Sequence, residues 1–198
     1  WGVKAVFLFD RPNSRSSWSA ATWSQNNLVE HFLDRYLPLA KAVDQAGIIP
    51  VLPPLQPAGA YWDTAFLRTV LESLSRRKQT ALLDHLVLSC YAWTNQRSLN
   101  WGAGGPLRWA SARPYNTPQD SQDQCGFRIF EWYQSVAASV LKRDVPILLL
   151  QAGTTSDPSS PSTSIPPHDQ LEIQAVAQAL YGDNVIDPAN ADTLLAPI

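Results

Sequence analysis

The sequence is poor in several features that mark particular classes of protein. Methionine is absent from its 198 residues, cysteine occurs twice, and charged residues make up only 16% of the chain. A net charge of −2 without a basic cluster argues against nucleic acid and anionic membranes as partners. The apolar runs are too short to span a membrane, and the amino-terminal residues do not resemble a signal peptide. Because the chain begins at Trp1, we expect its natural amino terminus to be missing, so the cellular compartment stays unknown.

Ligands for metals and cofactors are also scarce. Cys90 falls in an apolar segment and Cys125 just before a helical one, which favours two free thiols and leaves a disulfide open. The three histidines lie far apart in sequence, and no Cys/His spacing is typical of zinc. The glycines at residues 102–105 lack the Lys-Ser/Thr of a phosphate-binding loop. We therefore expect no metal and no cofactor.

The chain does contain alternating strand and helix patterns. Short β-branched and aromatic runs predict strands at residues 3–9, 48–52, 86–91 and 145–150. Helical spacing of apolar residues predicts helices at residues 28–46, 64–83, 126–143 and 169–180. Four successive β-α units predict one α/β domain over residues 1–198, with a parallel sheet and right-handed crossovers.

A few residues are predicted to shape the ends and interiors of these helices. Pro38 should kink or interrupt the first helix, and Gly47 should cap its carboxyl end. Asp63 should cap the amino end of the second helix. Gly182 should cap the fourth, after a Ser/Pro/Thr-rich loop at residues 154–167.

Tryptophan and proline are present in excess, at eight and sixteen copies. Six tryptophans fall in or beside the predicted loops that follow strands: Trp18, Trp23, Trp62, Trp93, Trp101 and Trp109. The loop at residues 92–124 has a length typical of lids and binding loops. Indole rings stack on sugar faces, so Trp93, Trp101 and Trp109 are predicted carbohydrate contacts. The alternative is that each indole only fixes the long loop to the sheet.

Two strand ends carry residues whose order resembles clan A glycoside hydrolases. The first strand runs into Asp-Arg-Pro-Asn at residues 10–13, similar to the Asn-Glu-Pro motif of the fourth strand in those barrels. The fourth strand runs into Gln-Ala-Gly at residues 151–153, similar to the Glu-x-Gly context of the seventh. The third strand, with Tyr91 and Trp93, resembles the sixth, which offers an aromatic side chain to the sugar.

The resemblance implies part of a TIM (β/α)8-type barrel, strands four to seven. It places Arg11 at the general acid/base position and Gln151 at the nucleophile position, where the family has glutamates. Retaining hydrolysis needs two carboxyl groups about 5 Å apart. Arginine stays protonated and an amide is a poor nucleophile, so the standard mechanism is absent. The implied function is a pseudo-enzyme that binds carbohydrate or acts as a scaffold.

Two other functions stay open: an active glycosidase that uses other carboxylates, such as Asp10 acting with Asp157, and a structural or assembly subunit. The predicted partner is an oligosaccharide, neutral or acidic. The predicted binding residues are Asp10, Arg11, Asn13, Tyr91, Trp93, Trp101, Trp109 and Gln151. The alternatives are a simple pairing of Arg11 with Asp10, backbone bonding by Gln151, and ordinary turn roles for Asn13 and Asp157.

A complete barrel of this type usually needs about 250 residues, more than this chain contains. Three explanations are open: a fragment of a longer gene product, half of a barrel closed by another chain, or a free-standing open sheet. We favour the first two. Both predict an interface, because an incomplete barrel exposes strand edges and an apolar inner face.

Overall fold

The structure is a computed structural model that describes residues 2–153 and residue 175. Its strands are β1 (Ala5–Phe7), β2 (Ile49–Val51), β3 (Leu88–Trp93) and β4 (Ile147–Gly153). Its helices are α1 (Ala20–Trp23), α2 (Leu28–Gln45), α3 (Asp63–Arg76), α4 (Thr80–Asp84), α5 (Gly105–Arg108) and α6 (Ile129–Leu141). The predicted loop at residues 154–167 and the cap at Gly182 lie outside the described residues, as does the predicted fourth helix apart from residue 175, which is helical.

The strands pair in parallel and follow one another in space as they do in the chain. β1 pairs with β2, and β3 pairs with β4. A single parallel bridge between Val51 and Val87 joins the two pairs, and the Leu52 N–H donates to the Val87 carbonyl oxygen at 2.8 Å. The described strands therefore lie in the order β1-β2-β3-β4. This arrangement confirms the predicted α/β class and its parallel pairing.

The hydrophobic core lies between the strands and a row of three helices. α3 contacts both α2 and α6, and so it lies between them. Each helix and the strands contribute buried side chains to one cluster, which includes Phe32, Leu33, Phe66, Leu71, Tyr133, Leu52, Leu88 and Cys90. Burial of each such aliphatic or aromatic side chain contributes about 1.5–3 kcal/mol, so this cluster holds the strands and helices together.

The opposite face of the strands exposes apolar side chains. Leu8 and Leu149 pack against the helical core, and successive strand residues point to opposite faces. The neighbouring residues Phe7 and Leu148 are 43% exposed, and Ile49, which pairs with β1, is 40% exposed. We call these three residues the open face. No helix of the described part of the chain is long and apolar enough to span a bilayer.

The first predicted helix is confirmed, whereas the second is wrong in its extent. α2 runs without interruption through Pro38, which lies on the exposed side, so the predicted break does not occur. Gly47 has φ +73, the left-handed conformation that ends helices. The segment predicted as one helix is divided into α3 and α4, because Lys78 also adopts a left-handed conformation, with φ 53.

Asp63 and the third predicted helix also differ from expectation. Trp62 occupies the N-cap position, and Asp63 is the first helical residue of α3. Its carboxylate is completely buried, where a capping side chain would usually remain near solvent. The helix predicted at residues 126–143 begins at Ile129 and ends at Leu141, where Lys142 has φ 59.

Candidate functional site

A hydrogen-bonded cluster joins the carboxyl ends of β1 and β3. The Tyr91 hydroxyl donates to Asp10 Oδ1 at 2.6 Å, and Arg11 Nε donates to Asp10 Oδ2 at 2.9 Å. Since β2 lies between the two strands, the Tyr91 side chain reaches across its end. Burial raises the pKa of Tyr91 to about 12, and the hydrogen bond to Asp10 acts in the same direction. The phenol therefore stays protonated at neutral pH and acts as a donor.

The backbone is strained at the ends of β1 and β4. Arg11 has φ 45 and Gln151 has φ 48, both in the left-handed region that side-chain-bearing residues rarely adopt. Gln151 lies in a β-bulge, because Tyr91 pairs with Leu150 whereas Trp93 pairs with Gly153. Both side chains are exposed at these positions. Bulges and strained residues cluster at functional sites, which is consistent with a binding role for these strand ends.

Two aromatic rings stack face to face beside this cluster, so each covers one face of the other, and Tyr91 is itself only 8% exposed. The Tyr91 and Trp93 rings stack with centroids 4.7 Å apart and planes 9° from parallel. Trp93 also lines a cleft of about 450 Å³ between the loops that follow β2 and β3. We call this the Trp93 cleft. Its other lining residues are Gln56, Pro57, Ala58, Asn95, Arg97 and Cys125.

Asn13 is a buried link between the first two loops. Its Nδ2 donates to the carbonyl oxygens of Gln56 at 2.8 Å and Tyr61 at 2.9 Å, and its Oδ1 accepts from the Gln56 N–H at 2.8 Å. The side chain is fully buried, so these bonds use its amide within the protein. The geometry does not support the predicted contact of Asn13 with a ligand. Instead, Asn13 fixes Gln56 on the wall of the Trp93 cleft.

The long third loop is organised around the buried carboxylate of Asp123. Oδ1 accepts hydrogen bonds from Arg97, from Trp101 Nε1 at 3.1 Å and from the Cys125 N–H at 2.9 Å. Oδ2 accepts from the Thr117 hydroxyl at 2.9 Å. Burial by itself would raise the pKa of Asp123, but these donors outweigh it and lower the pKa. Asp123 is therefore a charged anchor for the loop.

The indoles of Trp101 and Trp109 are used within this loop. Trp101 donates to Asp123, and the Arg97 guanidinium lies 4.5 Å from its ring centroid. Trp109 Nε1 donates to the Ala103 carbonyl oxygen at 2.8 Å. Neither residue lines the Trp93 cleft. Of the three predicted tryptophan contacts, the structure thus brings only Trp93 to the cleft, and Trp101 and Trp109 have the anchoring geometry of the alternative.

A second buried carboxylate, that of Asp63, links the loops that form the cleft. Asp63 accepts from the Ala58 N–H at 3.2 Å, Gln124 Nε2 at 3.1 Å and the Tyr133 hydroxyl at 3.0 Å. Burial raises the pKa of Asp63, and the hydrogen bonds from Gln124 and Tyr133 partly oppose that rise. Ala58 belongs to the second loop and Gln124 to the third. Asp63 therefore holds two walls of the cleft against α6.

Both cysteines are free, as the sequence favoured. Burial raises the pKa of Cys90 and of Cys125 to about 12 in each case. The thiols are therefore neutral at physiological pH, and neither has the character of a nucleophile.

Sequence reasoning missed several residues of the cleft and a second aromatic concavity. Gln56, Asn95 and Arg97 carry no family motif; their position in loops after strands was the available signal.

Tyr61 and Tyr115 line a separate concavity of about 440 Å³, which also includes Trp23 and Trp62. Its aromatic residues come from the loops after β1, β2 and β3, and among these four rings Tyr115 is exposed whereas Trp62 is buried.

The described residues contain no group of three or more His, Cys, Asp or Glu side chains that could hold a metal ion. At the ends of β1 and β3 the structure shows hydrogen bonds, ring stacking and the exposed ion pair of Arg11 with Asp10. No protein-family model, curated protein or solved structure matches this chain.

Proposed function

We propose that this chain is a carbohydrate-binding domain built on part of a glycoside-hydrolase-like barrel, without the carboxylates of retaining hydrolysis. One observation carries the proposal: the stacked rings of Tyr91 and Trp93 lie beside the hydrogen-bonding groups of Asp10 and Arg11 at the carboxyl ends of parallel strands. Sugars are recognised by this combination of flat apolar surface and directed polar groups.

Three features of the fold support a barrel segment. The described strands follow one another in space in chain order, as they do in TIM barrels. The helices α2, α3 and α6 form a row on one side. The open face exposes apolar side chains where a closed barrel would bury its interior.

The strand ends favour binding over hydrolysis. Arg11 and Gln151 offer neither a proton at neutral pH nor a competent nucleophile. The nearest carboxylate, Asp10, already accepts hydrogen bonds on both of its oxygens. These two bonds give Asp10 a structural role at this strand end, where it links Tyr91 to Arg11.

Calorimetric titration with three β-1,4-linked trisaccharides, one each of glucose, mannose and galactose, tests the proposal. At least one should bind, and Trp93→Ala should weaken that binding about tenfold through loss of the stacking surface. Trp109→Ala serves as the matched control and should bind like the wild type, because its indole is used within the loop. Aryl glycosides of the same sugars should not be turned over.

Two results would count against this function. If none of the trisaccharides binds, or if Trp93→Ala binds as well as the wild type, the Trp93 ring is not part of a sugar site. Turnover of an aryl glycoside would instead favour an active glycosidase with other carboxylates.

A second candidate function is that of a structural subunit whose open face packs against a partner chain. The exposed side chains of Phe7, Ile49 and Leu148 favour it, since large apolar patches commonly mark interaction sites. Absence of sugar binding together with a partner that remains bound through purification would support this function over carbohydrate recognition.

A further inference from the structure

The lining of the Trp93 cleft contains one cation, Arg97, which is ion-paired to Asp123 outside the lining. Among the residues that line it, Arg97 is the single charged side chain, and the others are apolar groups, two amides and a neutral thiol. The amides belong to Gln56 and Asn95. The Arg97 side chain is 34% exposed, so a ligand in the cleft can reach it. The lining thus offers a cation and hydroxyl-binding groups next to an indole.

The guanidinium of Arg97 is held in place before any ligand binds. Its Nη1 donates to Asp123 and, at 2.9 Å, to the Cys125 carbonyl oxygen. Its plane lies over the Trp101 ring, with Cζ 4.5 Å from the centroid. These contacts use two of the five N–H donors of an arginine. Within residues 2–153, Nε and Nη2 meet no protein acceptor.

The two buried carboxylates next to the cleft, those of Asp123 and Asp63, already accept several hydrogen bonds each. Asp123 accepts four hydrogen bonds, and Arg97 supplies one of them. Asp63 is fully buried and accepts bonds from Gln124 and Tyr133, with a third from a backbone N–H. Arg97 is ion-paired to Asp123, as Arg11 is to Asp10, but its Nε and Nη2 keep N–H donors that no described protein group accepts.

We propose that the Trp93 cleft takes an acidic sugar residue, with its carboxylate on Arg97 and its hydroxyls on Gln56 and Asn95. Arginine binds carboxylates through parallel N–H donors, which makes a fixed guanidinium selective for a uronate over a neutral hexose. The inference rests on the proposed carbohydrate-binding function and adds the class of sugar. The neutral neighbouring residue of the oligosaccharide would stack on the ring face of Trp93 that Tyr91 leaves uncovered.

The test compares each neutral trisaccharide named above with the same compound oxidised at C6 to the uronate. We expect the wild type to bind the acidic member about tenfold more tightly, the equivalent of one charge-assisted hydrogen bond. The preference should shrink as NaCl is raised from about 50 mM to about 500 mM, because the carboxylate and Arg97 are partly exposed. Arg97→Gln should remove the preference, so that the acidic and neutral members of each pair bind with equal affinity.

Arg97→Lys keeps the charge and should retain part of the preference. Arg113→Gln is the matched control, since Arg113 lies in the same loop and bonds only to nearby carbonyl oxygens there; it should behave as the wild type.

Equal binding of the neutral and acidic compounds by the wild type would overturn this inference and leave the proposed function standing. Loss of neutral and acidic binding alike in Arg97→Gln would show a purely structural role. Failure of every compound to bind would refute the proposed function itself.

Discussion

At the scale of single residues, backbone strain distinguishes the strand ends from the rest of the sheet. Gln151 holds a left-handed conformation in the bulge of β4. For a residue with a side chain this conformation costs about 1–2 kcal/mol, whereas glycine adopts it freely. A free-energy cost of this size at an exposed position persists when the surrounding structure, and the function of the site, require it.

We predict that Gln151→Gly raises the free energy of unfolding by about 1 kcal/mol, because it relieves this strain. Urea denaturation followed by tryptophan fluorescence measures the change. The matched control is Gln134→Gly, in the middle of α6, which should lower stability by about 1 kcal/mol. A loss of stability in Gln151→Gly would mean that the glutamine side chain itself stabilises the strand end.

Asn13 and Asp10 show why the sequence predicts the location of the site better than the role of each residue. Both follow β1, so both were expected at the sheet edge. Their roles depend on groups far along the chain: Asn13 bonds to Gln56, and Asp10 to Tyr91. No local pattern specifies such distant contacts. Burial and hydrogen-bond partners therefore had to come from the structure.

At the scale of elements, the third loop depends on one charged anchor. The pKa of Asp123 is lowered in the folded protein. Its ionised carboxylate therefore stabilises the fold at pH values above 3.8, the ordinary pKa of the group. That contribution is lost as the pH falls through the lowered pKa. The loop should therefore be more stable at neutral pH than in acid.

We predict that Asp123→Asn lowers the free energy of unfolding by about 2 kcal/mol at pH 7, because several donors lose their charged acceptor. The difference from the wild type should shrink as the pH falls below 3.8. Unfolding by urea across this range measures it. Asp120→Asn, at an exposed position of the same loop, should change stability by less than about 0.5 kcal/mol at any pH. A difference independent of pH would contradict the ionised state of Asp123.

The positions of strands and helices were largely predictable, whereas several of their ends were not. Apolar periodicity reports which face of α2 or α3 is buried, so it locates these elements well. The division after α3 follows from the left-handed conformation of Lys78, for which a lysine gives no warning. The burial of Asp63 likewise depends on partners in another loop and in α6. Periodicity carries no information on such partners.

At the scale of the whole molecule, the open face leaves large apolar side chains in contact with solvent. Phe7 and Leu148 lie on different strands and are both 43% exposed. Surfaces of this kind bind hydrophobic dyes and promote association. In the described order β1-β2-β3-β4 these are the two outer strands, so the two side chains lie toward opposite edges of the strands.

We predict that Phe7→Lys combined with Leu148→Lys reduces the binding of an anilinonaphthalene dye and shifts sedimentation toward the monomer. Since both side chains are half exposed, the cost in stability should stay near 1 kcal/mol. Leu107→Lys is the control, because Leu107 is 90% exposed but lies in α5, away from the strands. If the control variant lowers dye binding as much as the double variant, the open face is not the interaction surface.

The chain-order arrangement of the strands also bears on how the protein is made. Within the described part of the chain, β2, β3 and β4 each meet the strand synthesised immediately before them, so none of these three must wait for a distant partner. A nascent polypeptide can therefore add one unit at a time onto an existing template as it leaves the ribosome, which shortens the exposure of unpaired edges during synthesis.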